Sequence, residues 1–119
     1  VTPIFIKSLP AAAATGPYLL VKLGVSGAQA SAAATDDIVG VSDSMGADAG
    51  KMLDVIQGGW AEVRYGGNVA AGKPLTADAN GRAIQATAGN GVRIIGFAMV
   101  AGAADDIGAV LIAPGFYSA

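Results

Sequence analysis

The stretch Gly67-Asn68-Val69-Ala70-Ala71-Gly72-Lys73 comes closest to a chemical motif. It fills the first seven positions of a phosphate-binding loop, in which backbone N–H groups and a lysine hold nucleotide phosphates. The eighth position should be Ser or Thr, to place a hydroxyl on magnesium, and here it is Pro74. Such a loop must also open a helix, whereas the residues from Leu75 to Arg82 read as a short strand and an Asn-Gly turn. A glycine-rich β loop is expected instead. Asp36-Asp37 and Asp105-Asp106 are paired carboxylates, and Asp78-Ala79-Asn80-Gly81 begins like a calcium loop. The pairs lack further oxygen ligands at calcium-loop spacing, and the third stretch lacks the closing Glu. Turn-capping is the expected role of all three. Ser42 and Ser44 have no imidazole base, and a Ser44–Lys51 pair has no motif around it. Lys51, beside Met52 and just after a turn, half resembles the modified lysine of a biotinyl or lipoyl carrier domain.

The chain has no Cys and no His. That excludes disulfides, thiol nucleophiles, Cys/His zinc sites and imidazole catalysis. No catalytic, metal-binding or cofactor-binding residue is therefore assigned, and the protein is not expected to be an enzyme. Its 119 residues suit one domain, and a composition of 53% hydrophobic with 18 glycines is too apolar for disorder. Only 13% of residues are charged, so partners or sister subunits are expected to cover part of the surface. The seven basic residues are scattered and the net charge is −2, which argues against nucleic acid as a partner. No apolar run approaches the roughly 20 residues of a membrane span. No signal-peptide pattern is visible, and the first residue is Val1.

The elements are strands. Turn signals recur every eight to twelve residues or so, and no segment keeps a helical period, so an all-β barrel or sandwich is expected. Pro3 and Pro10 bracket Ile4-Phe5-Ile6-Lys7, which suits an edge strand or an extended N-terminal arm over residues 1–10. Residues 11–119 form the β domain. Strands are expected over residues 18–23, 38–41, 51–56, 60–65, 82–87, 92–100 and 108–112, with hairpin turns at Asn80-Gly81 and Asn90-Gly91. The glycine pairs Gly58-Gly59 and Gly66-Gly67 isolate Trp60-Ala61-Glu62-Val63-Arg64-Tyr65 as a short strand at the middle of the chain, with Trp60 assigned to the core.

That strand joins two similar halves. An ungapped shift of 56 residues places Val39-Gly40-Val41 on Ile95-Gly96-Phe97, Gly46-Ala47 on Gly102-Ala103, and Asp54-Val55-Ile56 on Val110-Leu111-Ile112. Residues 14–59 and 70–115 thus read as an internal repeat with approximate two-fold symmetry. Aromatic residues outside the expected core are the candidate contacts, since aromatics are enriched where interfaces are tightest. They are Phe5, flanked by Ile4 and Ile6, on the arm, and Phe116 and Tyr117 on the tail after Pro114-Gly115.

From Asp37 onward the chain resembles the small capsid cement, or head decoration, proteins of bacteriophages. The resemblance lies in the order and spacing of several pieces. Ile38-Val39-Gly40-Val41 comes first, then the Gly59-to-Tyr65 strand with its Gly-rich entry. Asn68-Val69-Ala70-Ala71-Gly72-Lys73-Pro74-Leu75, Asp78-Ala79-Asn80-Gly81-Arg82 and Ile95-Gly96-Phe97 follow, and Val110-Leu111-Ile112 closes the series. Gly72-Lys73 departs from a Gly-Asp frequent in that family. A more distant similarity to the lambda-type head decoration protein covers residues 38–65. The resemblance implies a non-enzymatic virion protein on the outer surface of the capsid. Its partner would be the major capsid protein, and it would act as a homo-oligomer, a trimer being favoured. A tail or fibre component is the alternative, and a carrier domain built around Lys51 a more remote one. Ordering an arm costs about 1–2 kcal/mol per residue of backbone entropy, so Ile4, Phe5 and Ile6 would have to bury apolar surface on a partner. Removing residues 1–10 is expected, on this view, to weaken capsid binding and leave the domain folded.

Overall fold

The computed structural model describes residues 3–25 and 27–117. They form nine strands and, among the described residues, no helix. The strands are β1 (Pro3–Pro10), β2 (Leu20–Gly24), β3 (Gly27–Ala30), β4 (Ile38–Ser42), β5 (Met52–Arg64), β6 (Pro74–Ala77), β7 (Ala83–Gln85), β8 (Arg93–Ala98) and β9 (Ile107–Phe116). They make one antiparallel sheet in the order β3-β2-β4-β5-β9-β8-β6-β7, with β1 added to β5. The sheet folds over a core without closing into a barrel, and the molecule measures 35 × 30 × 24 Å.

β5 is the spine. The sequence suggests a break at Gly58-Gly59, yet the strand runs through it. Gly59 adopts φ 82°, and the chain turns there from one set of neighbours to another. Before the turn, β5 pairs with β1, from Pro10 opposite Met52 to Pro3 opposite Gly59. After it, β5 pairs with β9, from Trp60 opposite Leu111 to Arg64 opposite Ile107. β4 takes the other edge at Val55 and Ile56.

The pairing scheme occurs twice. β2 pairs with β3 and β4, and β4 with β5; β6 pairs with β7 and β8, and β8 with β9. Single backbone bonds repeat as well. Ala11 N–H donates to Lys51 O at 2.9 Å, and Tyr65 N–H donates to Asp106 O at 2.8 Å. Thr15 and Ala47 exchange two bonds, as do Val69 and Gly102. Ser42 N–H donates to Leu19 O, and Ala98 N–H to Lys73 O. These pairs fix the true correspondence. The offset is 54 residues from Ala11 to Tyr65, 55 from Ala47 to Gly102, and 56 from Ser42 to Ala98. The ungapped shift of 56 therefore holds for β4 and β8 and slips by a residue or two elsewhere. Leu111, not Ile112, is the partner of Ile56 in the repeat, because Ile56 faces Val41 and Leu111 faces Phe97.

The halves fill their interiors differently. In the first, Ala11, Val21, Ala28, Leu53 and Val55 cluster, with Ala47 packed against them. The equivalents of Ala11, Leu53 and Ala47 are Tyr65, Gly108 and Gly102. A Cβ at Gly108 would overlap Tyr65 Cζ and Oη, and one at Gly102 would press on the same ring. One large ring with two glycines thus replaces one leucine with two alanines. The buried Tyr65 Oη donates to Val100 O at 2.6 Å. Burial pushes the phenol up from its ordinary value, and a bond from Ala109 N–H offsets part of that.

Residues 3–10, expected as an arm or an edge strand, are paired along β5, and Leu9 packs against the first cluster. Deleting residues 1–10 is therefore expected to lower the urea midpoint by a large margin, because it strips an edge of β5. A truncated protein with an unchanged midpoint would contradict this. For the swapped interior, Gly108→Ala is expected to cost about 1–3 kcal/mol by overpacking, and Tyr65→Ala about 3–5 kcal/mol by leaving a cavity. The double change Tyr65→Ala/Gly108→Leu restores the first half's alanine and leucine and should be more stable than Tyr65→Ala alone. Urea unfolding of the three variants reads this directly.

Candidate functional site: an exposed apolar row on the second half

The residues singled out for chemistry have structural duties. Asp78 Oδ1 accepts from the N–H groups of Asn80 and Arg82 at 2.8 and 2.9 Å, closing the turn before β7. Asp106 Oδ2 accepts from Ala103 N–H, Asp37 pairs with Arg93 at 2.7 Å, and Asp105 pairs with Arg82 at 3.0 Å. No group of three or more acidic side chains able to hold a metal is found among the described residues. The buried Ser42 Oγ accepts from Leu19 N–H and donates to Gly16 O, so it acts as a strand tie. Lys51 is exposed after the turn closed by its own N–H on Asp48 O. The stretch from Gly67 to Lys73 is a β loop that leads into β6, not a helix.

Asp36 is the most constrained carboxylate. Burial pushes its pKa up, but bonds from Ala32 N–H and Ser31 Oγ, the nearby Lys22 ammonium, and Ala33 N–H together outweigh that. They hold it below the ordinary carboxylate value. A depressed folded pKa contributes stability above the unfolded value, and that contribution is lost as pH falls through the folded one. Asp36→Asn is therefore expected to destabilise the protein by about 1 kcal/mol at neutral pH. The gap between variant and parent should close in acid, below the ordinary pKa of about 3.9. A constant gap from pH 7 to pH 2 in chemical denaturation would contradict this.

The candidate contact residues divide. Phe5 and Ile6 are exposed on β1, with Ile6 directly opposite Ile56. Ile4 also lies in β1, but its side chain is outside the described residues. Phe116 ends β9 opposite Arg93, whose guanidinium lies 4.7 Å from the ring centre. Tyr117 N–H donates to Val92 O, and Tyr117 O accepts from Gly89 N–H, so the tail is tied to the turn before β8. The two groups are thus attached to different strands, and no backbone pairing joins them among the described residues. Beside Ile6 lies an open groove of about 320 Å³ lined by Tyr18, Ser42, Asp43, Ile56 and Glu62. Tyr18 holds φ 60° there, at the position the second half gives to Gly72 (φ 85°).

The larger surface lies elsewhere. Trp60, assigned to the core from sequence, is 41% exposed. It faces Leu111, Leu111 faces Phe97, and Phe97 faces Pro74. Directly opposed residues of a sheet project from the same side, so these four form an apolar row across β5, β9, β8 and β6. Leu111 and Phe97 are each 37% exposed, and the exposed Ile107 lies four residues along β9 on the same face. The alternation around Trp60 carried the signal. Trp60 shares its side of the strand with Glu62 and Arg64, while Ala61, Val63 and Tyr65 are buried. Leu111 and Phe97 carried none, because each sits inside a continuous apolar run.

The architecture has a counterpart among solved structures. No family model matches the chain, and no curated protein does. Among solved structures, the chain superposes on the crystal structure of the N-terminal base of head fibre gp8.5 of bacteriophage phi29 with a TM-score of 0.66. The match covers 92% of this chain and 93% of that one at 18% identity, so the two share an architecture from end to end.

Proposed function

We infer that the chain is a structural component of a phage virion. It is not an enzyme, and it is held on the outer surface of the capsid by the major capsid protein as a homo-oligomer, a trimer being favoured. The observation that carries this is the shared architecture with a head fibre base over nearly the whole length of both chains. The ordered resemblance to capsid cement proteins and a surface with little charge support it independently. A protein that coats a repeating shell gains avidity from many weak contacts, and exposed apolar rows on a rigid sheet suit that task.

Two forms of the role are compatible with the fold. In one the protein clamps neighbouring capsid subunits; in the other it is the seat of a fibre on the head. The fold match favours the fibre seat, and the sequence resemblance favours the clamp. Purified protein mixed with undecorated mature capsids is expected to bind saturably, read as protein pelleted with particles. A clamp should also raise the temperature at which the shells release DNA, whereas a fibre seat should bind and leave it unchanged. Absence of saturable binding would overturn both forms.

A further inference from the structure

The chain carries the pair Asn-Gly twice, at residues 80–81 and 90–91, and the two are held in different ways. Asparagine before glycine is open to attack by its own backbone, because glycine leaves the following nitrogen unhindered and free to rotate. In the first pair that nitrogen is occupied. Gly81 N–H closes the turn on Asp78 O, and Asp78 Oδ1 accepts from the N–H groups of Asn80 and Arg82 on either side. Gly81 O accepts from Leu20 N–H at 2.7 Å. Gly81 is buried, and a Cβ there would meet Ala30 Cβ and Ser31 O at 3.2 Å. In the second pair the glycine sits one place earlier in its turn. Val92 N–H closes that turn on Gly89 O, and no backbone partner holds Gly91 N–H among the described residues. Asn90 and Gly91 are both exposed, and a Cβ at Gly91 would meet only Thr35 Cγ2, at 3.8 Å.

We propose that Asn90 is a site of spontaneous deamidation and that its isoaspartyl product releases the tail of the chain. Gly91 N gives its proton to base and attacks Asn90 Cγ. A C–N bond forms, the Cγ–Nδ2 bond breaks, and Nδ2 leaves as ammonia. Water then opens the cyclic imide at either carbonyl. Attack at Cγ leaves an ordinary aspartate. Attack at the main-chain carbonyl leaves an isoaspartate, in which the chain runs through Cβ and Cγ and gains one backbone atom. The step consumes water and needs no oxidant or other co-reactant. An extra backbone atom matters at this turn because Tyr117 is tied to it on both sides of residues 90–91. Gly89 N–H donates to Tyr117 O, and Tyr117 N–H donates to Val92 O, each at 2.9 Å. The two bonds together require the spacing from Gly89 to Val92. An isoaspartate alters that spacing, so Phe116 and Tyr117 come away from the turn before β8.

Trypsin separates the two pairs, since Asn80 falls in residues 65–82 and Asn90 in residues 83–93. Parent protein kept folded at mildly alkaline pH is expected to convert Asn90 about tenfold or more faster than Asn80, read by mass spectrometry of these fragments. In urea the protection of Asn80 is lost and the two rates should approach each other. Equal rates in the folded protein, or an Asn80 that stays slow in urea, overturn the assignment of the site. Hydrogen exchange reads the second step. Tyr117 N–H is expected to exchange faster in the isoaspartyl fraction than in the parent. Freshly prepared Asn90→Asp carries the charge without the extra atom and should keep the parent rate. An isoaspartyl fraction with the parent rate, or an Asn90→Asp variant as fast as the isoaspartyl form, overturns the release of the tail.

Discussion

The structure depends on a strand that belongs to two units at once. β5 must end the first half with residues 52–59 and begin the second with residues 60–64, and no linker separates the tasks. This ties the two registers together. A slip of one residue anywhere in β5 would invert every side chain beyond it and bring Trp60, Glu62 and Arg64 inward in place of Ala61, Val63 and Tyr65. Gly59 lets the strand change neighbours, because its φ of 82° would strain any residue with a side chain. The first strand of each half therefore differs in origin: β1 is a segment of its own, and its counterpart is the continuation of β5.

Once the backbone scheme is duplicated, side chains can diverge provided the volume balances. The exchange of Ala11, Leu53 and Ala47 for Tyr65, Gly108 and Gly102 shows how. A ring that grows from one strand is accepted because the strand and loop opposite it lose their side chains, so packing density survives. The phenol hydroxyl then needs a partner, and Val100 O supplies it. Backbone strain diverges in the same way. Gly50 and Gly72 hold left-handed positions without cost, while their counterparts Asp105 and Tyr18 hold them at φ 70° and 60°. For a tyrosine that conformation is unfavourable, and backbone bonds anchor it: Tyr18 O accepts from Arg64 N–H at 2.8 Å, and Tyr18 N–H donates to Asp43 O.

Much of this was legible in the residues. Alternation and turn chemistry marked most strands and the all-β class, and the Asn-Gly turn of residues 80–81 joins β6 to β7 as read. The repeat was visible because glycines and β-branched residues recur at fixed spacing. Its register was not, since single-residue insertions in the loops leave no trace in an Ala- and Gly-rich chain. The reach of β5 and β9 was also hidden. Gly58-Gly59 and Pro114-Gly115 look like stops, and only long-range pairing carries the strands through them. The exposed row was the hardest part. A sheet residue in an apolar run is inside or outside according to which layer lies above it, and that is a property of the whole molecule. Trp60 could be placed from its charged neighbours; Phe97 and Leu111 could not.

The first-half equivalents of Leu111, Phe97 and Pro74 are Ile56, Val41 and Leu20, and all three are buried, which bears on what kind of object this fold is. Two halves related by a closed two-fold would bury the same face on each and leave nothing over. Here the pairing within each half is repeated, but the packing between halves runs in one direction, so the stack has distinct ends. The exposed end is the row on β5, β9, β8 and β6, whose equivalents on β5, β4 and β2 lie in the core. The agreement with the phi29 head fibre base at 18% identity is one of architecture. What persists at that distance is backbone pairing and the placement of layers.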